Sequence, residues 1–248
     1  MQTSSNTVLI TGGATGIGFA IAQKLLENGN TVIICGRRAD RLAEAKNKLS
    51  AVHTRVADIS KPEDRIQLRD WIISSFSDLN IVINNAGIQK KLFLMQENST
   101  EVIMEEVNTN LISPIHLLNL FVPHLANQRE AAVVNITSGL AFIPLAITPV
   151  YCATKAALHS FTLSARHQLK DTSIKVFEIA PPIVDTELGN DGSHIEREVA
   201  GISPSQAAEE TFLDMRNDQY QYAIGMAENL YQAAHSDKTE FAFNQVNR

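Results

Sequence analysis

The segment Thr11-Gly12-Gly13-Ala14-Thr15-Gly16-Ile17-Gly18 stands between a short apolar run that begins at Thr7 and a stretch with helical spacing of apolar residues. Its glycines have the spacing G-x-x-x-G-x-G, which differs from the more familiar G-x-G-x-x-G. Glycine lets a backbone approach a pyrophosphate closely, and the following helix presents free N–H groups to that phosphate. We therefore predict a dinucleotide-binding loop formed by Gly12, Ala14, Thr15, Gly16, Ile17 and Gly18. The alternative is a glycine-rich turn that only closes a strand.

Strand-like and helix-like patterns alternate on either side of this loop. The predicted strands are Thr7–Ile10, Thr31–Cys35, His53–Ala57, Asn80–Ile83, Ala131–Ile136, Ile174–Ile179 and, as a seventh, Tyr222–Ile224. The predicted helices are Phe19–Asn28, Arg38–Leu49, Pro62–Phe76, 100–126 and Val150–Leu169. This alternation predicts an α/β fold with right-handed crossovers, a Rossmann-type doubly wound parallel sheet with helices on both faces. We expect one domain over residues 1–248, with its ligands at the carboxyl ends of the strands.

The composition argues against several other classes of protein. The chain has 248 residues, a net charge of −6 and 44% hydrophobic residues, which is typical of a globular protein. Nucleic acid and anionic membranes are poor partners for it, because both require a basic surface. No apolar run approaches the ~20 residues that cross a bilayer, and the polar start Met1–Thr7 does not resemble a signal peptide. Cys35 and Cys152 lack metal-ligand spacing, so we expect a cytoplasmic protein without a metal site.

The residues after the second and third predicted strands bear on the choice of cofactor. NAD-binding dehydrogenases place an acid near the end of the second strand, where it bonds the adenosine 2′-hydroxyl. Gly36, Arg37 and Arg38 stand there instead, and two guanidinium groups favour the 2′-phosphate of NADP(H). The alternative is that both arginines belong to a solvated helix start. Asp58, followed by Ile59, is placed to reach the adenine, and its alternative is a role near the N-terminus of the next helix.

A tyrosine and a lysine four residues apart lie near the start of the last long predicted helix. Residues at this spacing share a helix face, so Tyr151 and Lys155 lie on the same side of the site. Lowering a tyrosine pKa by ~3 units takes about 4 kcal/mol of preferential phenolate stabilisation, which a nearby ammonium and an oxidised nicotinamide can supply. Ser138, directly after the fifth strand, is placed to donate to a substrate oxygen, and Asn110 lies on the preceding long helix. Because such a pair alone is common on surfaces, the interpretation rests on the combination.

Together these residues resemble the short-chain dehydrogenase/reductase family. The resemblance extends to about Glu187 and is weaker beyond it. It is carried by the glycine loop, Asn84-Asn85-Ala86-Gly87 after the fourth strand, Asn110 within Val107-Asn108-Thr109-Asn110-Leu111, Ser138, Tyr151 and Lys155. These motifs occur in the order of the family and at family-like spacing, so a chance match is very improbable.

The resemblance implies a role for each of these residues. Tyr151 is the general acid in carbonyl reduction and the base in alcohol oxidation, and Ser138 polarises the carbonyl. Lys155 lowers the tyrosine pKa and binds the nicotinamide ribose, and Asn110 holds a water that relays protons towards Lys155. The cofactor is lined further by Asn84, Ala86, Gly87, Tyr151, Lys155, Pro181, Ile183 and Thr186, and the loop is tied to the sheet by Thr11 and Asn85. The family commonly forms homodimers or homotetramers.

One segment departs from the family pattern. The family usually has Pro-Gly after the sixth strand, whereas this chain has Pro181-Pro182-Ile183-Val184-Asp185-Thr186. Pro182 lacks an N–H and cannot adopt positive φ, so we expect a different loop over the nicotinamide. The Pro-Pro form followed by Thr186-Glu187-Leu188 is similar to a bacterial branch of the family that is named after an oxidoreductase of the D-alanyl-lipoteichoic-acid operon.

The substrate side is predicted from three segments. The apolar segment Gly139–Ile147 follows Ser138 and indicates a small, partly apolar carbonyl or alcohol substrate, because small-molecule pockets are mostly apolar. Lys90 and Lys91 are placed to attract an anionic group, and the alternative is a solvated pair of lysines. The polar, glycine-containing segment 189–201 is a candidate substrate lid.

Three functions are consistent with these observations. The sequence favours an NADP(H)-dependent carbonyl reductase or alcohol dehydrogenase. A second interpretation keeps the fold and replaces the cofactor with NAD. A third, from a different class, is a non-catalytic dinucleotide-binding sensor, and loss of the tyrosine or the lysine would have favoured it.

Overall fold

The computed structural model describes residues 1–188 and 200–247. Its seven strands form one parallel sheet in the order β3-β2-β1-β4-β5-β6-β7. The strands are β1 Thr7–Thr11, β2 Thr31–Gly36, β3 His53–Val56, β4 Leu79–Asn84, β5 Ala131–Ile136, β6 Ile174–Ala180 and β7 Gln221–Ala223. The prediction of a doubly wound parallel sheet is therefore confirmed. The strand order reverses between β1 and β4, and this is the point where such sheets bind ligands.

Nine α-helices lie within the described ranges and cover both faces of the sheet. They are α1 Gly16–Glu27, α2 Ala39–Lys48, α3 Pro62–Ser75, α4 Thr100–Val107, α5 Ser113–Leu125, α6 Pro149–Gln168, α7 Pro204–Arg216, α8 Met226–Ala234 and α9 Thr239–Val246. The sequence analysis found α1 to α6 approximately and missed α7, α8 and α9. It also began α1 at Phe19, whereas the helix starts inside the glycine loop at Gly16.

Alternate residues of each strand pack into two separate cores. Val8 and Ile10 of β1 lie in the core that α1 and α7 cover, and Leu9 lies in the core that α3 and α5 cover. All three side chains are fully buried. Burial on both faces explains why the central strands are continuous apolar runs rather than alternating ones.

The predicted helix 100–126 is interrupted where it passes the active side of the sheet. Residues Asn108–Ile112 form a π-helical turn between α4 and α5, and Asn110 lies in it, fully buried. A π-helical turn widens the helix by one residue and is often found at functional sites. The helical spacing of apolar residues cannot reveal this turn, because the residues on both sides of it remain helical.

The C-terminal helices lie beside the loop that follows β5. Gly139 begins a short 3-10 turn, and a Cβ at this position would lie 2.9 Å from the Cβ of Ala227 on α8. Beyond α9, Asn247 donates through Nδ2 to the carbonyl of Pro144, at 3.0 Å. The C-terminal part of the chain therefore supports the segment that leads into α6. Most of the predicted lid, residues 189–199, lies outside the described residues.

Candidate active site

The glycine loop is bonded to the segment after β4. The hydroxyl of Thr11 accepts from the backbone N–H groups of Asn85 and Ala86, each at 3.1 Å, and Asn85 donates through Nδ2 to the carbonyl of Thr11 at 3.0 Å. Gly12 has a φ of 65°, and a Cβ there would lie 2.8 Å from the Cα of Ala86. Gly16 has a φ of 57° and begins α1. A side chain at Gly12 would therefore separate the two segments, and Thr11 and Asn85 hold them together.

The residues around this loop fit a dinucleotide. The first turn of α1 contains no acidic residue, and the first N–H groups of a helix lack partners within it. Among the described residues, a Cβ at Gly36 would meet nothing within 4 Å, and a Cβ at Gly87 would lie 3.5 Å from Oδ1 of Asn110 and 3.7 Å from Nζ of Lys155. A groove of about 580 Å³ runs beside the loop and is lined in part by Thr15 and Gly16. A phosphate can therefore approach the helix N-terminus.

The arginines after β2 are paired with carboxylates, and Arg38 contacts two residues that line this groove. Nη1 of Arg37 is 2.6 Å from Oε1 of Glu105 on α4, and Nη1 of Arg38 is 3.5 Å from Oε2 of Glu187. Arg38 also donates to the hydroxyl of Thr15 in the glycine loop, at 3.5 Å. The sequence analysis missed Arg41, whose Nη2 is 3.4 Å from Oε1 of Glu187. Both predicted arginines are half exposed, and at least Arg38 reaches the predicted phosphate loop rather than only starting a helix.

The bonds of Asp58 are local. Its Oδ1 accepts from the N–H and the hydroxyl of Ser60, at 3.1 and 2.8 Å, just before α3 begins. These bonds are the helix-start role that was the alternative interpretation, and the contact of Asp58 with adenine stays a prediction. The carbonyl of Ile59 accepts from the buried guanidinium of Arg65 at 2.6 Å, and this bond holds the turn in place.

The four predicted catalytic residues lie at the carboxyl ends of β4 and β5. Tyr151 and Lys155 are buried one turn apart on α6, with Nζ of Lys155 5.7 Å from the centroid of the Tyr151 ring. The hydroxyl of Ser138 accepts from the N–H of Leu140 at 3.1 Å and acts on the phenol of Tyr151, whose pKa it lowers. Oδ1 of Asn110 accepts from the N–H of Ile88 at 2.9 Å, and Nδ2 of Asn110 donates to the carbonyl of Ile88 at 2.8 Å. The structure therefore brings all four residues together.

Burial controls the ionisation of the tyrosine and the lysine. It raises the pKa of Tyr151 well above its usual value, and the hydrogen bond from Ser138 acts in the opposite direction. Burial lowers the pKa of Lys155 to about 8, while its Nζ donates to the carbonyl of Ile136 at 2.7 Å. The chain's own groups thus favour a neutral phenol. The expected lowering of the Tyr151 pKa by Lys155 is not among these effects.

The segment after β6 lies against the glycine loop. A Cβ at Gly16 would come within 3.1 Å of Cγ2 of Thr186, so Thr186 stands over the start of α1. The carbonyl of Pro181 accepts from the N–H of Gly139 at 3.0 Å, and Ile183 is partly exposed. Pro182 forms no cis peptide bond. Thr186 therefore lines the groove, and the contacts of Pro181, Ile183 and Thr186 with the cofactor stay a prediction.

A family model described as short chain dehydrogenase matches residues 6–196. The chain belongs to the short-chain dehydrogenases. The uncharacterized oxidoreductase DltE of Bacillus subtilis is 54% identical to it over 189 residues, which cover 76% of this chain and 75% of that protein. This match agrees with the branch that the Pro-Pro segment indicates.

Two solved short-chain dehydrogenases share the fold. One from Burkholderia cenocepacia, in complex with NADP, has a TM-score of 0.85 and 22% identity, and the match covers 100% of both chains. One from Burkholderia phymatum, in complex with NAD, has a TM-score of 0.87 and 19% identity, and the match covers 98% of this chain and 96% of that chain. Within residues 1–188 and 200–247, no helix is long and apolar enough to cross a membrane.

Sequence reasoning missed two groups near the site of this short-chain dehydrogenase. Glu106 of α4 is buried, and its Oε1 accepts from the N–H of Lys90 at 3.1 Å. Glu178 of β6 is fully buried and accepts from the hydroxyl of Thr137 at 2.8 Å, and its Oε2 is 2.8 Å from Nδ1 of His159. Glu106 lies four residues before Asn110, which is a helical turn, and this spacing was the signal that could have revealed it.

Proposed function

We propose that this protein transfers a hydride between NADP(H) and a small, partly apolar carbonyl or secondary alcohol. Tyr151 acts as general acid in reduction and as base in oxidation. The observation that carries the proposal is that buried Tyr151, Lys155, Ser138 and Asn110 meet beside Gly87, at the carboxyl ends of the strands. The cofactor supplies the hydride when it is bound.

The neighbouring hydroxyls of Ser138 and Tyr151 support the proton-transfer step. Both can donate to one substrate oxygen, because Ser138 follows β5 and acts directly on the phenol of Tyr151. Tyr151 holds the proton that moves to this oxygen in reduction, and burial keeps the phenol neutral until then. Lys155 lies beside the tyrosine and donates to the carbonyl of Ile136. Asn110 fixes the backbone of Ile88 through two hydrogen bonds.

The preference for NADP(H) is argued from Arg37 and Arg38. Glycine and two arginines occupy the end of β2, where a carboxylate would favour NAD. The solved relatives with NADP and with NAD match the fold about equally well, so fold likeness does not decide between the cofactors. A 2′-phosphate can replace Glu105 and Glu187 as the partner of these guanidinium groups.

We test the proposal by titrating NADPH and NADH into the protein in a calorimeter, and by assaying NADPH oxidation with small ketones. We expect tighter binding of NADPH, with a loss of at least roughly tenfold when Arg37 and Arg38 are replaced by alanine. Tyr151→Phe should abolish turnover and leave NADPH affinity nearly intact. Undiminished turnover in that variant contradicts the assignment of Tyr151, and a preference for NADH favours the NAD-dependent alternative. Binding without turnover in the unaltered protein supports the sensor alternative.

We also propose that the protein works in the cytoplasm as a single-domain homodimer or homotetramer. The net charge of −6 and the chain's resemblance to dimers and tetramers of its family motivate this proposal. Exposed apolar side chains on α4 and the π-helical turn, among them Val102, Met104 and Ile112, support it. Light scattering during size-exclusion chromatography tests the oligomeric state.

A further inference from the structure

Glu106 holds the backbone of the segment that follows β4. Its Oε1 accepts from the N–H of Lys90 at 3.1 Å, and one turn later Oδ1 of Asn110 accepts from the N–H of Ile88 at 2.9 Å. The N–H groups of Ile88 and Lys90 therefore bond to one face of the same helical stretch. Only 2% of Glu106 is exposed, so its carboxyl group is buried between α4 and the segment that follows β4.

The other side of residues 88–92 bonds to the loop that leads into α6. Leu92 donates through its N–H to the carbonyl of Ile147 at 3.0 Å, and Gln89 donates through Nε2 to the hydroxyl of Thr148 at 3.5 Å. Tyr151 lies within the first turn of α6, just after this loop. A carboxyl group at position 106 is thus connected through a short stretch of backbone to the helix that carries the tyrosine.

We infer that Glu106 is a positioning residue that acts on Tyr151 in two ways, and the inference rests on the function proposed above. Its carboxylate fixes residues 88–92 against the loop before α6. Its negative charge also opposes formation of the Tyr151 phenolate, which keeps the tyrosine as a proton donor. The protonated tyrosine, which reduction uses, therefore persists to higher pH, and oxidation, which uses the phenolate, begins at higher pH.

The charges around Glu106 agree with this role. Burial raises the pKa of Glu106 to about 7, and the charge of Glu105 adds to this effect, while the N–H and the charge of Lys90 lower it. The charge of Glu106 in turn raises the pKa of Tyr151 and of Cys152. On α6, the ammonium of Lys155 lies on the ring of Tyr151, at 5.7 Å from its centroid. As pH rises through about 7, Glu106 becomes charged and the phenolate becomes harder to form.

The variant Glu106→Gln tests the inference, because an amide oxygen can still accept from Lys90 while the charge is removed. We measure kcat/KM for oxidation of 1-phenylethanol with NADP⁺ as a function of pH. The midpoint of the rise with pH should shift downwards by about half to one pH unit, and NADPH affinity should stay the same. Glu106→Asp retains the charge and should keep a midpoint close to that of the unaltered protein. Glu101→Gln, which removes an exposed charge from the same helix, is the matched control and should cause no shift.

A second readout does not require turnover. Ultraviolet difference titration with NADP⁺ present, with the signal of Tyr151→Phe subtracted, follows the phenolate of Tyr151 directly. We expect its titration to move to lower pH in Glu106→Gln as well. Absence of ketone reduction by the unaltered protein refutes the proposed function, while this titration still tests the inference. Equal titrations in the two proteins, or equal shifts in Glu106→Gln and Glu106→Asp, would overturn the inference alone.

Discussion

Asp214 of α7 carries a buried carboxyl group. It is 4% exposed, its Oδ2 has no hydrogen-bond partner among the described residues, and the nearby charge of Glu210 opposes its ionisation. Burial and Glu210 together raise the pKa of Asp214 to about 7. In the unfolded chain the same group has its ordinary value near 4. The folded protein therefore binds this proton more tightly than the unfolded chain does.

This difference predicts how stability changes with pH. Between about pH 4 and about pH 7 the unfolded chain has lost the proton while the folded protein keeps it, so the free energy of unfolding falls as pH rises. Asp214→Asn removes the titration and should stabilise the protein at about pH 8 by roughly 2 kcal/mol relative to its effect at about pH 4. Urea unfolding of both proteins across this range measures the difference. A difference that does not vary with pH contradicts the assignment of the raised pKa to Asp214.

At the residue scale, the sequence was sufficient wherever a residue type and its spacing determine the chemistry. Helical spacing was enough to predict that Tyr151 and Lys155 share a site, and its position after a strand was enough to predict Ser138. Glu106 offered only its spacing of four residues from Asn110, and Glu178 offered no signal, because a glutamate is recognised as unusual only when packing buries it. The bonds of Asp58 to Ser60 show the opposite case, in which a local role competes with the predicted one.

At the scale of elements, the sequence analysis missed α8 and α9, the two helices that follow β7. No residue of α9 is buried, so the sequence shows no strong apolar face there. The stretch is nevertheless attached to the site, since Nδ2 of Asn247 donates to the carbonyl of Pro144 at 3.0 Å. The π-helical turn was missed for a different reason, because a single extra residue leaves the surrounding helical pattern intact.

The attachment of α9 predicts an effect on substrate binding. Asn247→Ala removes the bonds to the loop before α6, and one hydrogen bond is worth about 1 kcal/mol. We expect the KM for a small ketone to rise roughly fivefold, with the affinity for NADPH unchanged. Steady-state kinetics and calorimetry measure the two quantities. Asn127→Ala, at an exposed asparagine whose bond to Pro123 lies at the other end of the sheet, is the control. An unchanged KM in Asn247→Ala contradicts a role of the C-terminal segment in the pocket.

At the scale of the whole molecule, the sheet and its strand contents could be predicted because both faces are buried. Every residue of β1 and β5 is buried, and such strands appear in the sequence as nearly continuous apolar runs. The edge strand β7 has three residues, of which one is buried, and its predicted position was one residue too far along the chain. Short strands carry too few residues for a pattern to fix their ends.

The exposed apolar side chains on the surface lead to a prediction about assembly. Met104 and Ile112 are 46% and 39% exposed and lie about two turns apart on the helical stretch that carries Asn110. If copies of the chain pack there, Met104→Glu together with Ile112→Glu should place charges in the interface and reduce the oligomer to smaller species. Light scattering measures the mass of the particles. Ile66→Glu on α3, at a side chain of 40% exposure, is the control and should leave the mass unchanged.

The strand order has a consequence for how the chain acquires its fold. β1 pairs with β2, in which Thr7 lies opposite Thr31, and also with β4, in which Thr7 lies opposite Leu79. The central pairing thus waits until the residues between β1 and β4 have been synthesised and brought together. Contacts between distant residues slow folding, and parallel strands that wait for a partner expose their edges to other chains. We therefore expect refolding from urea to be slow, and its yield to fall as the protein concentration rises.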